Sequence, residues 1–195
     1  MHTVKKLSTL TSIMAALLCS GTAMADSKST DFHVTIRIMP VCEVTTSTGG
    51  APNELNSTSS AGADINFGDH ASNHGSNVDG QSVGASQGAI QVTCTKDTPY
   101  RIALTPASTG QSTGIGNMKG LTGGASINDE IAYTLYQDAD RQQVWGSQDG
   151  VNTKNSSGKG MSTPDKYPVY GRVLGNQFNK PAGRYSDRVN VTVHY

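Results

Sequence analysis

The stretch Asp31-Phe32-His33-Val34-Thr35-Ile36-Arg37-Ile38, which passes through Met39 into Pro40-Val41-Cys42, decides how the chain reads. Phe32, Val34, Ile36 and Ile38 alternate with Asp31, His33, Thr35 and Arg37. A period of two puts the apolar side chains on one face of an extended strand and the polar ones on the other. The far end repeats the pattern: Val189, Val191, Val193 and Tyr195 alternate with Arg188, Asn190, Thr192 and His194. Turn-rich sequence lies between, so the reading is all-β.

Ahead of the front stretch, residues 1–25 read as an export signal. Lys5 and Lys6 supply the charged start, Leu7 to Leu18 a moderately apolar run, and Ala23-Met24-Ala25 a small-x-small cleavage site, so Asp26 is the expected first mature residue. The run carries Ser8, Thr9, Thr11 and Ser12 and falls far short of the roughly 20 residues a spanning helix needs. Leu18 is bulky where a lipid-modified cysteine requires a small residue, which argues against anchoring through Cys19.

Without Lys5 and Lys6, 13 of the 15 basic residues face 15 acidic ones, a formal charge near −2. No basic block suggests nucleic acid or an anionic membrane as partner. The remaining length fits one β domain with generous loops. Only Cys42 and Cys94 survive signal removal, and an even pair in an oxidising compartment most simply forms one disulfide. Closing a loop of about 50 residues is worth roughly 4 kcal/mol if chain entropy dominates.

Further strands follow from the same alternation. Val41 to Val44 starts the domain, and Ala63-Asp64-Ile65-Asn66-Phe67-Gly68 reads as a short strand. Ile90, Val92 and Cys94 share one face, as do Tyr100, Ile102 and Leu104 after the turn residues Lys96 to Pro99. Ile131, Tyr133 and Leu135 define the strongest central strand. Met118 to Leu121, Tyr167 to Val173 and Arg184 to Tyr195 complete the set, and Gln143 to Gly146 starts another strand or a turn. His70 to Gly88 and Asp149 to Pro164 read as loops. About seven strands plus the front one suit a β-sandwich, and no stretch shows a helical stripe.

Chemical sites are sparse. Asp69, His70 and His74 lie in a loop, without the helical spacing that would converge metal ligands, and read as solvated. Asp138 and Asp140 read as a turn rather than a hydrolytic carboxylate pair. No G-x-S-x-G, H-E-x-x-H or P-loop occurs, so the expectation is a non-enzyme with no catalytic residue, metal or cofactor. Trp145 reads as a half-buried strand residue, with a sugar-binding platform as the rival.

At Cys42-Glu43-Val44, Ile65 to Gly68, Ile90 to Cys94, Ile131 to Asp138, Val169-Tyr170-Gly171 and Gly183 to Tyr195, the chain resembles the spore coat protein U domain, specifically the pilin subunits of archaic chaperone–usher pili. The resemblance spans essentially the whole mature chain. It implies an incomplete immunoglobulin-like β-sandwich lacking its last strand, with Cys42–Cys94 as the internal disulfide. The domain plan is a signal peptide over 1–25, a donor segment over 26–38 and the sandwich over 39–195. A periplasmic chaperone would supply the missing strand, and an outer-membrane usher would exchange it for the front segment of the next subunit, head to tail. Phe32, Val34, Ile36 and Ile38 would fill the neighbour's pockets, while Val189, Val191, Val193 and Tyr195 would edge the groove. The expected product is a shaft or adaptor subunit of a surface pilus, exported through the periplasm and supporting adhesion or biofilm formation. The competing class is a secreted monomeric carbohydrate- or surface-binding β-sandwich module with Trp145 and tyrosines in its binding face.

Overall fold

The computed structural model describes residues 26–46, 62–82, 84 and 89–195. The signal segment and residues 47–61 lie outside the described residues. The chain divides into a front unit ending at Arg37 and a compact unit from Ile38 to Tyr195. In the front unit, the described residues 26–37 form no strand.

The described residues of the compact unit hold eleven strands: β1 (Cys42–Thr46), β2 (Val78–Gln81), β3 (Ile90–Cys94), β4 (Pro99–Pro106), β5 (Ile115–Gly123), β6 (Glu130–Tyr136), β7 (Lys154–Ser157), β8 (Asp165–Tyr167), β9 (Tyr170–Val173), β10 (Gly183–Ser186) and β11 (Val189–His194). One 3-10 turn at Gly175–Gln177 is the sole helical element among the described residues. The strands form three sheets, ordered β1-β3-β8, β10-β5-β6-β9-β2 and β11-β4-β7. Every pairing is antiparallel. The protein is all-β.

All three sheets contribute to one core, which the alternations identify. Ile90, Val92 and Cys94 from β3, Tyr100, Ile102 and Leu104 from β4, and Ile131, Tyr133 and Leu135 from β6 are all buried together. Trp145 is 1% exposed, and its indole N–H donates to the Ile102 carbonyl at 3.0 Å. The half-buried placement expected of it is therefore corrected, and with it the platform reading. A fully enclosed ring has no face to offer a sugar.

Several elements differ from the sequence reading. The stretch read as a loop from His70 to Gly88 contains β2, and the one from Asp149 to Pro164 contains β7. Tyr167 to Val173 breaks into β8 and β9 around Pro168, which has no N–H to give a ladder. The closing strand breaks at Asp187-Arg188 into β10 and β11. Ala63 to Gly68 is not a strand: only Ile65 makes a bridge, to Ser82. Its apolar residues cover β2 instead. Gly80 and Gly171 lie opposite each other in the β2–β9 ladder, and a side chain on either would run into Phe67, and at Gly80 also into Ile65.

Polar groups clamp the same edge. Arg172 makes a two-pronged bond to Asp79 at 2.6 and 2.9 Å. Arg141 donates to the carbonyls of Gly171 at 3.1 Å and Gly80 at 3.0 Å. The Arg172 hydrogen bond holds the Asp79 carboxyl below its ordinary value of 3.8.

Candidate strand-docking edges

Two strands, β1 and β11, end sheets and lie near each other without a ladder between them. Among the described residues each has a ladder on one side only, β1 to β3 and β11 to β4. The entry to β1 is fixed by sequence-distant groups. Cys42 lies opposite Cys94 in register, and the two form the disulfide, with Cα atoms 4.1 Å apart. Just before it, Thr95 N–H donates to the Val41 carbonyl at 2.9 Å, and Val41 N–H donates to Thr95 Oγ1 at 3.0 Å. β1 thus leaves Pro40 already aligned on β3.

β11 is anchored at its start by Asp187. That carboxylate accepts hydrogen bonds from the Tyr133 hydroxyl at 2.8 Å, the Ser108 hydroxyl at 2.5 Å, and the Ser108 and Arg188 N–H groups at 3.1 and 2.8 Å. Burial, reinforced by Asp187, pushes the Tyr133 phenol well above its ordinary range, so it remains a donor. The ring lies over Gly116, its ladder partner, where any side chain would collide with it. Neither Asp187 nor Gly116 stands out in sequence. The available signal is the small residue facing a large aromatic across a ladder.

The edges differ in how their apolar residues are kept. Val189, Val191 and Val193 are half-buried and pack against the core from β11, while Asn190, Thr192 and His194 are exposed. Tyr195 falls one residue past the strand and is 60% exposed. On β1, Cys42 is half-buried and Val44 is 39% exposed. Phe32, Val34 and Ile36 of the front unit are 83%, 86% and 89% exposed, and Ile38 of the compact unit is 76% exposed.

The remaining sequence candidates resolve plainly. The His70 and His74 rings are tilted 40° to each other with centroids 4.8 Å apart, both edge-on to Phe178, and His70 Nε2 lies 2.7 Å from the Phe67 carbonyl. No group of three or more His, Cys, Asp or Glu suited to a metal occurs among the described residues. Asp138 accepts from the N–H groups of Gln142 at 3.0 Å and Gln143 at 2.8 Å, which makes it a turn residue. No described helix is long and apolar enough to cross a membrane.

Residues 28–192 match the family model of the Spore Coat Protein U domain, and the chain belongs to that family. The match takes in the front alternation and the first four residues of β11. No curated protein matches the chain. Among solved structures, it is similar to a chain described under "Chaperone-tip adhesin complex is vital for synergistic activation of CFA/I fimbriae biogenesis", with 15% identity and a TM-score of 0.35. The alignment covers 67% of this chain and 38% of that one, so this chain spans well under half of its neighbour's length.

Proposed function

We propose that the protein is a structural subunit of a surface pilus, built on the chaperone–usher pathway by strand donation. In this reading the sheets are an immunoglobulin-like sandwich that lacks its last strand. The observation that carries the reading is one chain holding two complementary unfinished parts. One is a pair of neighbouring unpaired edges, β1 and β11, whose valines are only half covered. The other is an exposed apolar alternation with no strand partner among the described residues.

Unpaired edges beside uncovered apolar side chains are aggregation hazards that a protein must cover. A donated strand does so by supplying ladder hydrogen bonds and by seating alternate side chains in pockets. Burying Phe32, Val34, Ile36 and Ile38 would contribute about 1.5–3 kcal/mol each. Ordering the seven residues from 32 to 38 costs about 1–2 kcal/mol per residue, a comparable sum, so the ladder bonds tip the balance. Donation from one copy to the next is heterologous and does not close, which makes a filament. Before assembly, a periplasmic chaperone covers the edges, and an outer-membrane usher hands the subunit to its neighbour. The fibre then serves adhesion or biofilm formation at the cell surface.

The test is to express the exported chain with its chaperone and usher and to run surface material on denaturing gels with and without boiling. A companion chain lacks residues 26–38. A ladder of multimers that collapses on boiling and is absent from the truncated chain is the expected result. One monomer band from both chains, with the disulfide formed, would overturn the reading.

A further inference from the structure

The stretch from Gly68 to Asn77, which leads into β2, carries His70 and His74. As a bare sequence it reads as a solvated loop, yet the fold gathers both rings. Their centroids are 4.8 Å apart, and each ring meets Phe178 edge-on, at 5.2 and 5.1 Å. His74 is half-buried and His70 is exposed, so Phe178 supports a pair that solvent can still reach.

The backbone beneath the pair is held at several points. Asn66 Oδ1 accepts from the Gly68 N–H at 2.9 Å, and Gly68 takes a φ of +84°, which glycine adopts without a steric cost. The next turn closes with the His74 N–H on the Ala71 carbonyl at 2.9 Å. Asn77 Oδ1 accepts from the Gly175 N–H at 3.0 Å, and a side chain on Gly175 would strike the Gly75 carbonyl. The histidine stretch is thus tied to the segment that carries Phe178. With both rings placed, little ordering remains to be done on binding.

Hydrogen bonding leaves ring nitrogens open. His70 Nε2 lies 2.7 Å from the Phe67 carbonyl, a group that only accepts, so Nε2 carries the proton and donates. In the neutral ring, Nδ1 then keeps a free lone pair. Metal-binding histidines commonly donate their second ring N–H to a carbonyl or carboxylate, which fixes the tautomer and the ring orientation. The His74 ring touches those of His70 and Phe178, and neither of its nitrogens has a hydrogen-bond partner among the described residues. The spacing fits as well. With metal–nitrogen bonds of about 2.0–2.1 Å, an ion shared by the two rings lies about 3.2 Å from each centroid. Centroids 4.8 Å apart then subtend about 100° at the ion, between a right angle and the tetrahedral angle.

We infer that His70 and His74 bind one divalent transition-metal ion, with water in the remaining positions. Imidazole suits copper, nickel and zinc, and Cu(II) heads the affinity order for such donors. Magnesium and calcium take oxygen ligands, which the two rings do not supply. Neither histidine belongs to β1, β11 or the front segment, so the inference stands or falls apart from strand donation.

The experiment titrates Cu(II) into the mature chain, in whichever assembled state it is isolated, in a glycine buffer that suppresses weak surface binding. Calorimetry reads the affinity and electron paramagnetic resonance the donor atoms. One site per chain is expected, with two imidazole nitrogens on the copper, and no heat from Mg(II). His74→Phe keeps a ring against Phe178 and removes both nitrogens. It should weaken Cu(II) binding at least about tenfold while the metal-free melting temperature holds, and His70→Phe should weaken binding as much. That split separates metal ligation from ring packing. The paired change His33→Ala with His194→Ala, at the other histidines of the mature chain, should leave the affinity as it was. Binding no tighter than millimolar overturns the inference. So does binding that both phenylalanine variants leave unchanged, or binding that is lost with His33 and His194.

Discussion

The front segment and β11 carry the same alternation in opposite surroundings. In β11, Val189, Val191 and Val193 lean on a core to which β3, β4 and β6 also contribute, and their strand is zipped to β4 over six registered pairs. In the front segment, Phe32, Val34 and Ile36 are more than four-fifths exposed, and no described residue pairs with them. The contrast teaches that a period of two specifies a strand with a face to bury, but not which molecule supplies the cover. For β11 the cover is partly within the chain. For residues 32–38 we propose that it lies in the next copy.

The strongest way to break this contrast is Ile36→Asp. If the segment inserts into a neighbour, a charge in an apolar pocket is intolerable, and the boil-sensitive ladder should vanish while the monomer remains oxidised. A ladder of normal intensity would show that Ile36 is not a buried anchor. Next in size is Asp187→Ala. It strips the Tyr133 and Ser108 hydroxyls of their acceptor at the start of β11, and urea unfolding should show a loss of roughly 2–4 kcal/mol. A change under about 0.5 kcal/mol would mean that β4 alone holds the strand.

Gly80→Val probes an edge strand of another sheet. The added side chain would run into Ile65 and Phe67, and overpacking of that kind costs about 1–3 kcal/mol, read from the unfolding midpoint. Because β2 and β11 lie in different sheets, strand donation should persist in the folded fraction. Smallest is Asp79→Asn. The Asp79 carboxyl is depressed by its Arg172 hydrogen bond, so its contribution is present above the ordinary value of 3.8 and fades as pH falls through the lower folded value. Both groups are partly exposed, so the difference from the parent should stay below about 1 kcal/mol near neutral pH and close up in acid. A gap that instead widened on acidification would contradict the assignment.

The core strands were legible in the sequence because their faces alternate without interruption, and β3, β4 and β6 bury the residues expected of them. β2 and β7 were not. Val78 is the single buried apolar side chain of β2, and Lys154-Asn155-Ser156-Ser157 has none. What fixes β2 is a glycine pair under Ile65 and Phe67 and an arginine clamp from far along the chain, and no local pattern records such partners. The disulfide was readable from cysteine count and compartment, and Cys42 and Cys94 prove to be ladder partners. The C-terminal strand was legible in its alternating valines, but the Asp187 anchor was not, since its partners lie 54 and 79 residues away.

The most direct test uses the chain lacking residues 26–38, refolded with its disulfide, and a synthetic peptide spanning Asp26 to Met39. Thermal unfolding and amide hydrogen exchange would be followed as peptide is added, with the Ile36→Asp peptide as control. The account predicts a large rise in melting temperature and new protection along β1 and β11, with neither effect from the control. An unchanged melting temperature and unprotected β1 and β11 amides at saturating peptide would contradict strand donation.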